Sequence, residues 1–330
     1  MTSSTADSFM QLNDLRSSLD SGTSGYLRDL IDNGPDDETW RKILRTQREE
    51  ERNWLDADWI VSEFYFYRRV AEAFRYFETG YDFFQKQKVD GLLEALPSIE
   101  SVAERIPSLL QQDVDVVAKI AVLSSLWGNK MDLSLWPASS SSNSKDNSDR
   151  ILFGDALQAG KSFILDDHTD EVVALLKKMR EKTDCRREVS IIVDNAGYEL
   201  FTDLLLGHLL LASKCCDVVT YHTKGHPTFV SDALTHDVLG TIDILTDITN
   251  AEDKAYVHAN SLAAKLRAHV EAGEIVMEDD LFWCQPTAFW DMPPNVTAKL
   301  DKSSIVFVKG DANYRRLLVG YNWLSANYSL

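Results

Sequence analysis

A chain of 330 residues with 44% hydrophobic content has enough apolar mass for one large or two ordinary domains. Its formal net charge of −18, from 52 acidic against 34 basic residues and with no Lys/Arg block, argues against a nucleic acid held by non-specific electrostatics. Any phosphorylated small molecule would need a local exception: a metal ion, a helix N-terminus or a few converging Lys and Arg. No run of about 18 apolar residues suggests a membrane span, and "MTSSTADSFMQLNDLR" lacks the apolar core of a signal peptide. Cys185, Cys215, Cys216 and Cys284 form no C-x-x-C pair and read as reduced thiols, so cytoplasm, or the nucleus, is the expected compartment.

Residues 1 to about 50 are polar, with weak helical patterns and some loosely ordered chain expected. The stretch "DADWIVSEFYFYRRVAEAFRYF" then places Ile60, Phe64, Tyr67, Ala71 and Phe74 on one helix face, with Asp56 or Asp58 able to cap its start. Its aromatic run, Phe64 to Tyr67, reads as core. Two or three further helices follow, punctuated by Pro97 and Pro107, before a serine tract at 138–149 that reads as a surface loop or linker. The tract divides a helical N-terminal region, 1–150, from a second region, 151–330. There β-branched runs ("REVSIIVD", "DVVTYHT", "SSIVFVKGD") alternate with amphipathic helices, the pattern of a parallel sheet covered by helices.

Ligands of open α/β sheets bind beyond the carboxyl ends of the strands. The first run delivers Asp194 and Asn195. The second delivers Lys224 and, after "GHPTFVSD", Asp232. The last delivers Lys309, Gly310, Asp311, Asn313 and Arg315. Carboxylates and an amide carbonyl are hard oxygen donors, so Asp194, Asn195 and Asp232 form a candidate set for Mg²⁺ or Mn²⁺, and such an ion would accept a phosphate. Gly197 permits a tight turn into a helix whose first turns put Glu199 and Asp203 on one face, with Glu199 able to meet substrate hydroxyls. Each residue alone has an ordinary explanation as an N-cap, a dipole partner or a turn. The coincidence of three strand ends favours a site.

Other signals carry less. "GDALQAGKS" at 154–162 has five residues between its glycines where a phosphate-binding loop needs four, and no G-x-G-x-x-G or G-x-S-x-G is present. His208, His222 and His226, near Cys215 and Cys216, match no zinc spacing. "SLWGNKMDLS" reads as a helix closed by Gly128 in the left-handed region, or as a device by which Asn129 or Asp132 reaches the sheet rim.

The stretches "WIVSEFYFYRRVAEAF", "SLWGNKMDLSL", "FILDD", "IIVDNAGYELFTDLLL", "GHPTFVSDAL" and "IVFVKGDANYRRLLVG", in that order over roughly residues 54–320, resemble subfamily III of the metal-dependent damage-control phosphatases. These are sugar-phosphate phosphatases also described as acidic residue methyltransferases. The resemblance implies an α/β/α sandwich with a mainly parallel central sheet, preceded by an α-helical N-terminal region. It implies a divalent metal (Mn²⁺ or Ni²⁺, with Co²⁺ or Mg²⁺ as alternatives) on Asp194, Asn195 and Asp232. It also implies substrate contacts from Glu199 and from Asp311, Ala312, Asn313, Tyr314 and Arg315, and a small sugar phosphate of the fructose 1-phosphate or fructose 6-phosphate type. S-adenosylmethionine-dependent methylation of protein carboxylates is the alternative activity. One departure stands out: the subfamily's R-T-x-K segment, whose lysine helps bind phosphate, is not in this sequence. Lys224, Lys309 or Arg315 would then substitute, or a form that binds without turnover would result, since one charge-assisted contact contributes roughly 1.5–3 kcal/mol.

Overall fold

The computed structural model describes residues 3–22, 25–128, 164–182, 184–248 and 254–318. The serine tract, the 154–162 stretch, Asn129 and Asp132 lie outside them. The helical part comprises α1 (Ser3–Asp20), α2 (Asp37–Thr46), α3 (Trp59–Ala73), α4 (Tyr76–Thr79), α5 (Gln85–Glu94), α6 (Leu96–Ala103), α7 (Ile106–Leu109) and α8 (Val114–Leu126). It is followed by α9 (Thr169–Glu181), β1 (Glu188–Ile192), α10 (Tyr198–Ala212), β2 (Val218–Lys224), α11 (Thr235–Asp247) and α12 (Val257–Glu271). The described chain closes with β3 (Ile275–Asp280), α13 (Pro294–Leu300), β4 (Ile305–Val308) and α14 (Asp311–Leu318). No helix among the described residues is long and apolar enough to cross a membrane.

The four strands form an all-parallel sheet in the order β3-β2-β1-β4. Alternation along the strands sends side chains to two faces. Val189 and Ile191 of β1, with Val219 and Tyr221 of β2, join the main core beneath α10. Ile192 and Val308 turn to the opposite face, against Phe282, Trp283 and Val296. Both faces are therefore covered, which makes an α/β sandwich. Helix α10 is buried all round, from Leu200 to Leu211, because it lies between the sheet and α8. Each fully buried Leu there contributes roughly 1.5–3 kcal/mol.

The main core also takes in Leu92, Ile99, Leu109 and Ala121, so α5 to α8 share it with the sheet. A separate core joins Leu27, Trp40 and Leu44 to Phe64 and Tyr65 of α3. Residues 25–58 are thus ordered more firmly than their polarity suggests. The cause is a buried ionic anchor: the Arg68 guanidinium donates to both Asp36 (2.9 and 2.8 Å) and Asp32 (2.9 and 2.8 Å). Position 58 is the N-cap of α3, but the Asp58 carboxylate makes no cap bond and instead accepts from Gln47 Nε2 at 3.0 Å.

One strand was not anticipated, and one expectation is corrected. Strand β3, "IVMEDD", does not stand out among the β-branched runs because half its residues are acidic, and it lies at a sheet edge where such residues are tolerated. Gly128 is not in the left-handed region; a Cβ there would sit 2.2 Å from Thr202 Oγ1, so glycine lets the end of α8 approach α10.

Candidate functional site

The chain runs outward along β1, β2 and β3, then returns to place β4 on the other side of β1. The crevice between the ends of β1 and β4 is therefore the topological switch point, where loops diverge and ligands bind. The two loops meet closely there. Gly310 follows β4 with φ +89°, and a Cβ on it would lie 2.1 Å from Asp194 Oδ1. Only glycine tolerates both that dihedral and that contact.

Asp194 and Asn195 are fixed by a second loop. After β2 the chain folds back so that Asn195 pairs antiparallel with Asp232. The Ala196 N–H donates to Ser231 O at 2.7 Å, and the Ala233 N–H to Asp194 O at 2.7 Å. Side chains complete the arrangement. Asn195 Nδ2 donates to Asp194 Oδ2 and Glu199 Oε2, both at 2.8 Å, while Ser231 Oγ donates to Asn195 Oδ1 at 2.5 Å. Gly197, at φ +73°, then opens α10.

The returning loop is strained. Phe229 (φ 48°) and Val230 (φ 66°) both occupy the left-handed region, which a β-branched residue rarely adopts. Aromatic packing holds the turn: the Phe229 ring meets Phe64 edge-on at 4.8 Å and Tyr67 at 5.0 Å. The loop that carries Asp232 is thereby pressed against α3.

Two lysines expected as phosphate donors are already engaged. Lys224 Nζ lies 2.5 Å from Asp232 Oδ2, with both side chains buried. Burial pushes the Asp232 carboxyl up to about 7, with Asp194 adding to the rise and Lys224 opposing it. Lys224 is itself raised: burial acts downward, but Asp232 and Asp194 outweigh it. Lys309 Nζ lies between Asp203 Oδ1 (2.7 Å) and Glu199 Oε1 (3.2 Å) and donates to Ser125 O (2.8 Å). Burial raises both Glu199 and Asp203, with Lys309 pulling them down. Glu199 and Asp203 share a face as their spacing predicts, and that face meets a lysine. With Asn195 on its other oxygen, Glu199 braces Asn195 from behind.

Asp194, Asn195 and Asp232 line one side of a cavity of about 230 Å³. Asp311, Ala312 and Arg315 of α14 line another. Arg315 donates to Asp311 Oδ2 at 2.9 Å and lies 4.6 Å from the centre of the Trp59 ring. Asn313 and Tyr314 lie elsewhere. Asn313 is fully buried and donates to Lys309 O at 2.9 Å, whereas Tyr314 is exposed on the outer side of its helix. Sequence reasoning missed the third wall, Trp59, Ile60, Glu63 and Phe64 of α3, together with Phe229. Of these, the i, i+4 spacing of Trp59 and Glu63 was the available signal, since it puts an aromatic and an acid on one helix face.

Among the described residues, the one cluster of three His, Cys, Asp or Glu side chains close enough to share an ion is Asp82, His236 and Asp237. Lys88 Nζ already sits between its carboxylates, at 2.9 Å from Asp82 and 2.7 Å from Asp237. That cluster holds its own cation. His208 pairs with His269, and His222 with Ser190. Asp194, Asn195 and Asp232 suit a divalent ion better: two carboxylates and an amide line one cavity, and a cation would favour the ionised form of Asp232, which burial and, to a lesser degree, Asp194 oppose.

A family model for the damage-control phosphatase ARMT1-like domain matches residues 12–327. The mouse protein named damage-control phosphatase ARMT1 is 30% identical over 331 residues, covering 94% of this chain and 72% of its own length. Proteins of the same name from rat and human are 31% and 30% identical, each covering 89% of this chain and 68% of the relative. The chain therefore belongs to the ARMT1-like damage-control phosphatase family and is a phosphatase, a membership that implies a divalent metal and a small phosphorylated substrate.

Proposed function

We propose that the chain hydrolyses small sugar phosphates of the fructose 1-phosphate or fructose 6-phosphate type, with a divalent ion (Mn²⁺, Ni²⁺, Co²⁺ or Mg²⁺) on Asp194, Asn195 and Asp232. The observation that carries this reading is the convergence of those three oxygen donors and Arg315 on one cavity. Its volume of about 230 Å³ is below the roughly 300–1,000 Å³ of pockets for drug-sized ligands, which suits a small metabolite.

A divalent cation held by Asp194, Asn195 and Asp232 would supply Lewis-acid activation of the phosphoryl group and of water. The chain supplies the rest. Lys224 offsets the Asp232 charge from behind, leaving the second carboxylate oxygen for the ion. Arg315, paired with an exposed Asp311, can exchange that partner for a phosphate, to which a guanidinium donates two parallel bonds. Ile60, Phe64 and Phe229 make the third side apolar, which strengthens the charge interactions beside it.

The test is phosphate release from fructose 1-phosphate and fructose 6-phosphate with each of the four metals, for the chain and its Asp194→Ala variant. Turnover that requires metal and disappears in the variant supports the reading. Binding of S-adenosylmethionine without phosphate release would redirect it to carboxylate methylation.

A further inference from the structure

Glu63 is the one charged group of the cavity that neither metal binding nor phosphate binding accounts for. It stands on α3, one turn after Trp59, in the wall facing Arg315. Among the described residues its carboxylate has neither a hydrogen-bond nor an ion-pair partner, although it is only partly exposed. Burial raises its pKa, Arg315 lowers it and Asp311 raises it again. The charged groups that act on it are Arg315 and Asp311 of α14. Glu63 stands at the α3 end of the cavity wall, on the helix that carries Trp59 and Ile60.

Charge arithmetic shows what Glu63 cannot be for. Glu63, Asp194, Asp232 and Asp311 face a single guanidinium, Arg315, with Lys224 behind Asp232, so a divalent ion only brings the site to neutrality and leaves no excess positive charge for a phosphate. For phosphate alone, a fourth carboxylate is repulsive, and a neutral side chain would serve better. An ionised carboxylate only accepts hydrogen bonds, so the ligand must bring donors to this end. Adjacent hydroxyls of a sugar are such donors, and two carboxylate oxygens accept from two of them. The apolar side chains of Ile60 and Phe64, on the same helix, offer no competing acceptor.

We propose that Glu63 is the specificity-determining residue of this site, accepting hydrogen bonds from the hydroxyls of the substrate's sugar while Arg315 faces its phosphate. This rests on the sugar-phosphate reading above. It makes the wall from the N-terminal helical region the selector among phosphate monoesters, and the sheet rim the reactive side.

The experiment is calorimetric binding of fructose 6-phosphate and of inorganic phosphate, each with Mg²⁺, to the full chain and to Glu63→Ala and Glu63→Gln. Phosphate release from fructose 6-phosphate is followed on the same samples. The ratio of the two affinities is expected to fall by about tenfold or more in Glu63→Ala, as for loss of a hydrogen bond to a charged group, and by less in Glu63→Gln, which keeps a carbonyl acceptor. If Glu63→Ala does not fold, Glu63→Gln alone must lower the ratio. An unchanged ratio in a folded variant overturns the proposal, as does failure of the unaltered chain to prefer the sugar phosphate. Selective, Glu63-dependent binding without phosphate release would refute the phosphatase reading of the substrate and leave the role of Glu63 standing. Phosphate release with an unchanged ratio would do the reverse.

Discussion

Gly310→Ala probes the junction of the β1 and β4 loops without removing a charged group. At φ +89° an alanine pays roughly 1–2 kcal/mol for the left-handed backbone alone. Its Cβ would lie 2.1 Å from Asp194 Oδ1, and ordinary contact begins at 3.4 Å, so the carboxylate must retreat by about 1.3 Å. Metal sites tolerate deviations of only about 0.2 Å, so Asp194 would cease to be an effective ligand. Loss of a well-placed supporting contact at a metal site typically costs 10–100-fold, or about 1.4–2.7 kcal/mol. The assay is calorimetric titration with Mn²⁺, alongside circular dichroism to establish that the variant is folded. Mn²⁺ affinity reduced at least about tenfold is expected. A folded Gly310→Ala chain that binds Mn²⁺ as tightly as the parent would refute the assignment of Asp194 to the metal and the cradle role of Gly310.

Four further outcomes follow from the same geometry. Lys224→Met leaves the Asp232 carboxyl buried, protonated and without its partner, and should destabilise the metal-free chain by about 1–3 kcal/mol in urea unfolding, with part of the loss restored by saturating Mn²⁺; an unaltered midpoint would contradict it. Because the Asp232 carboxyl is raised from 3.8 to about 7, the metal-free folded chain holds a proton that the unfolded chain releases, so its contribution to stability declines as pH rises from about 4 to 7. Metal must displace that proton, so Mn²⁺ affinity should rise with pH by up to about tenfold per unit and level off above about 7; affinity flat from pH 5 to 8 would exclude Asp232 as a ligand. Val230→Gly removes a strained dihedral at a half-exposed position and should raise the unfolding free energy by about 1 kcal/mol, whereas a loss of stability would show that the turn is not strained.

The parts of the site that lie next to recognisable strands were legible in the sequence. Asp194 and Asn195 follow a β-branched run directly, and Asp311 and Arg315 follow another, so the rule that sheets bind ligands at their carboxyl ends placed them together. Asp232 was also legible from the second strand end, but the sequence could not show how it joins the others: seven residues separate it from Lys224, and only the backward loop pairs it with Asn195. Local pattern was misleading where tertiary packing overrides it. Phe229 and Val230 carry no residue that favours a turn, yet they pass through the left-handed region with Phe229 packed on Phe64 and Tyr67. Asn313 resembles a polar loop residue, and instead caps Lys309 O inside α14. The α3 wall was hidden for another reason: its amphipathic aromatic pattern is the pattern of core, and Phe64 is core as well as cavity lining.

The most direct test of the metal assignment is an anomalous difference map from crystals of the full chain grown with Mn²⁺. One peak is expected, bounded by Asp194, Asn195 and Asp232 at the crevice between β1 and β4. A peak at Asp82, His236 and Asp237 instead, with Lys88 displaced, would contradict the account and move the reactive centre to the other side of the Asn195–Gly197 turn.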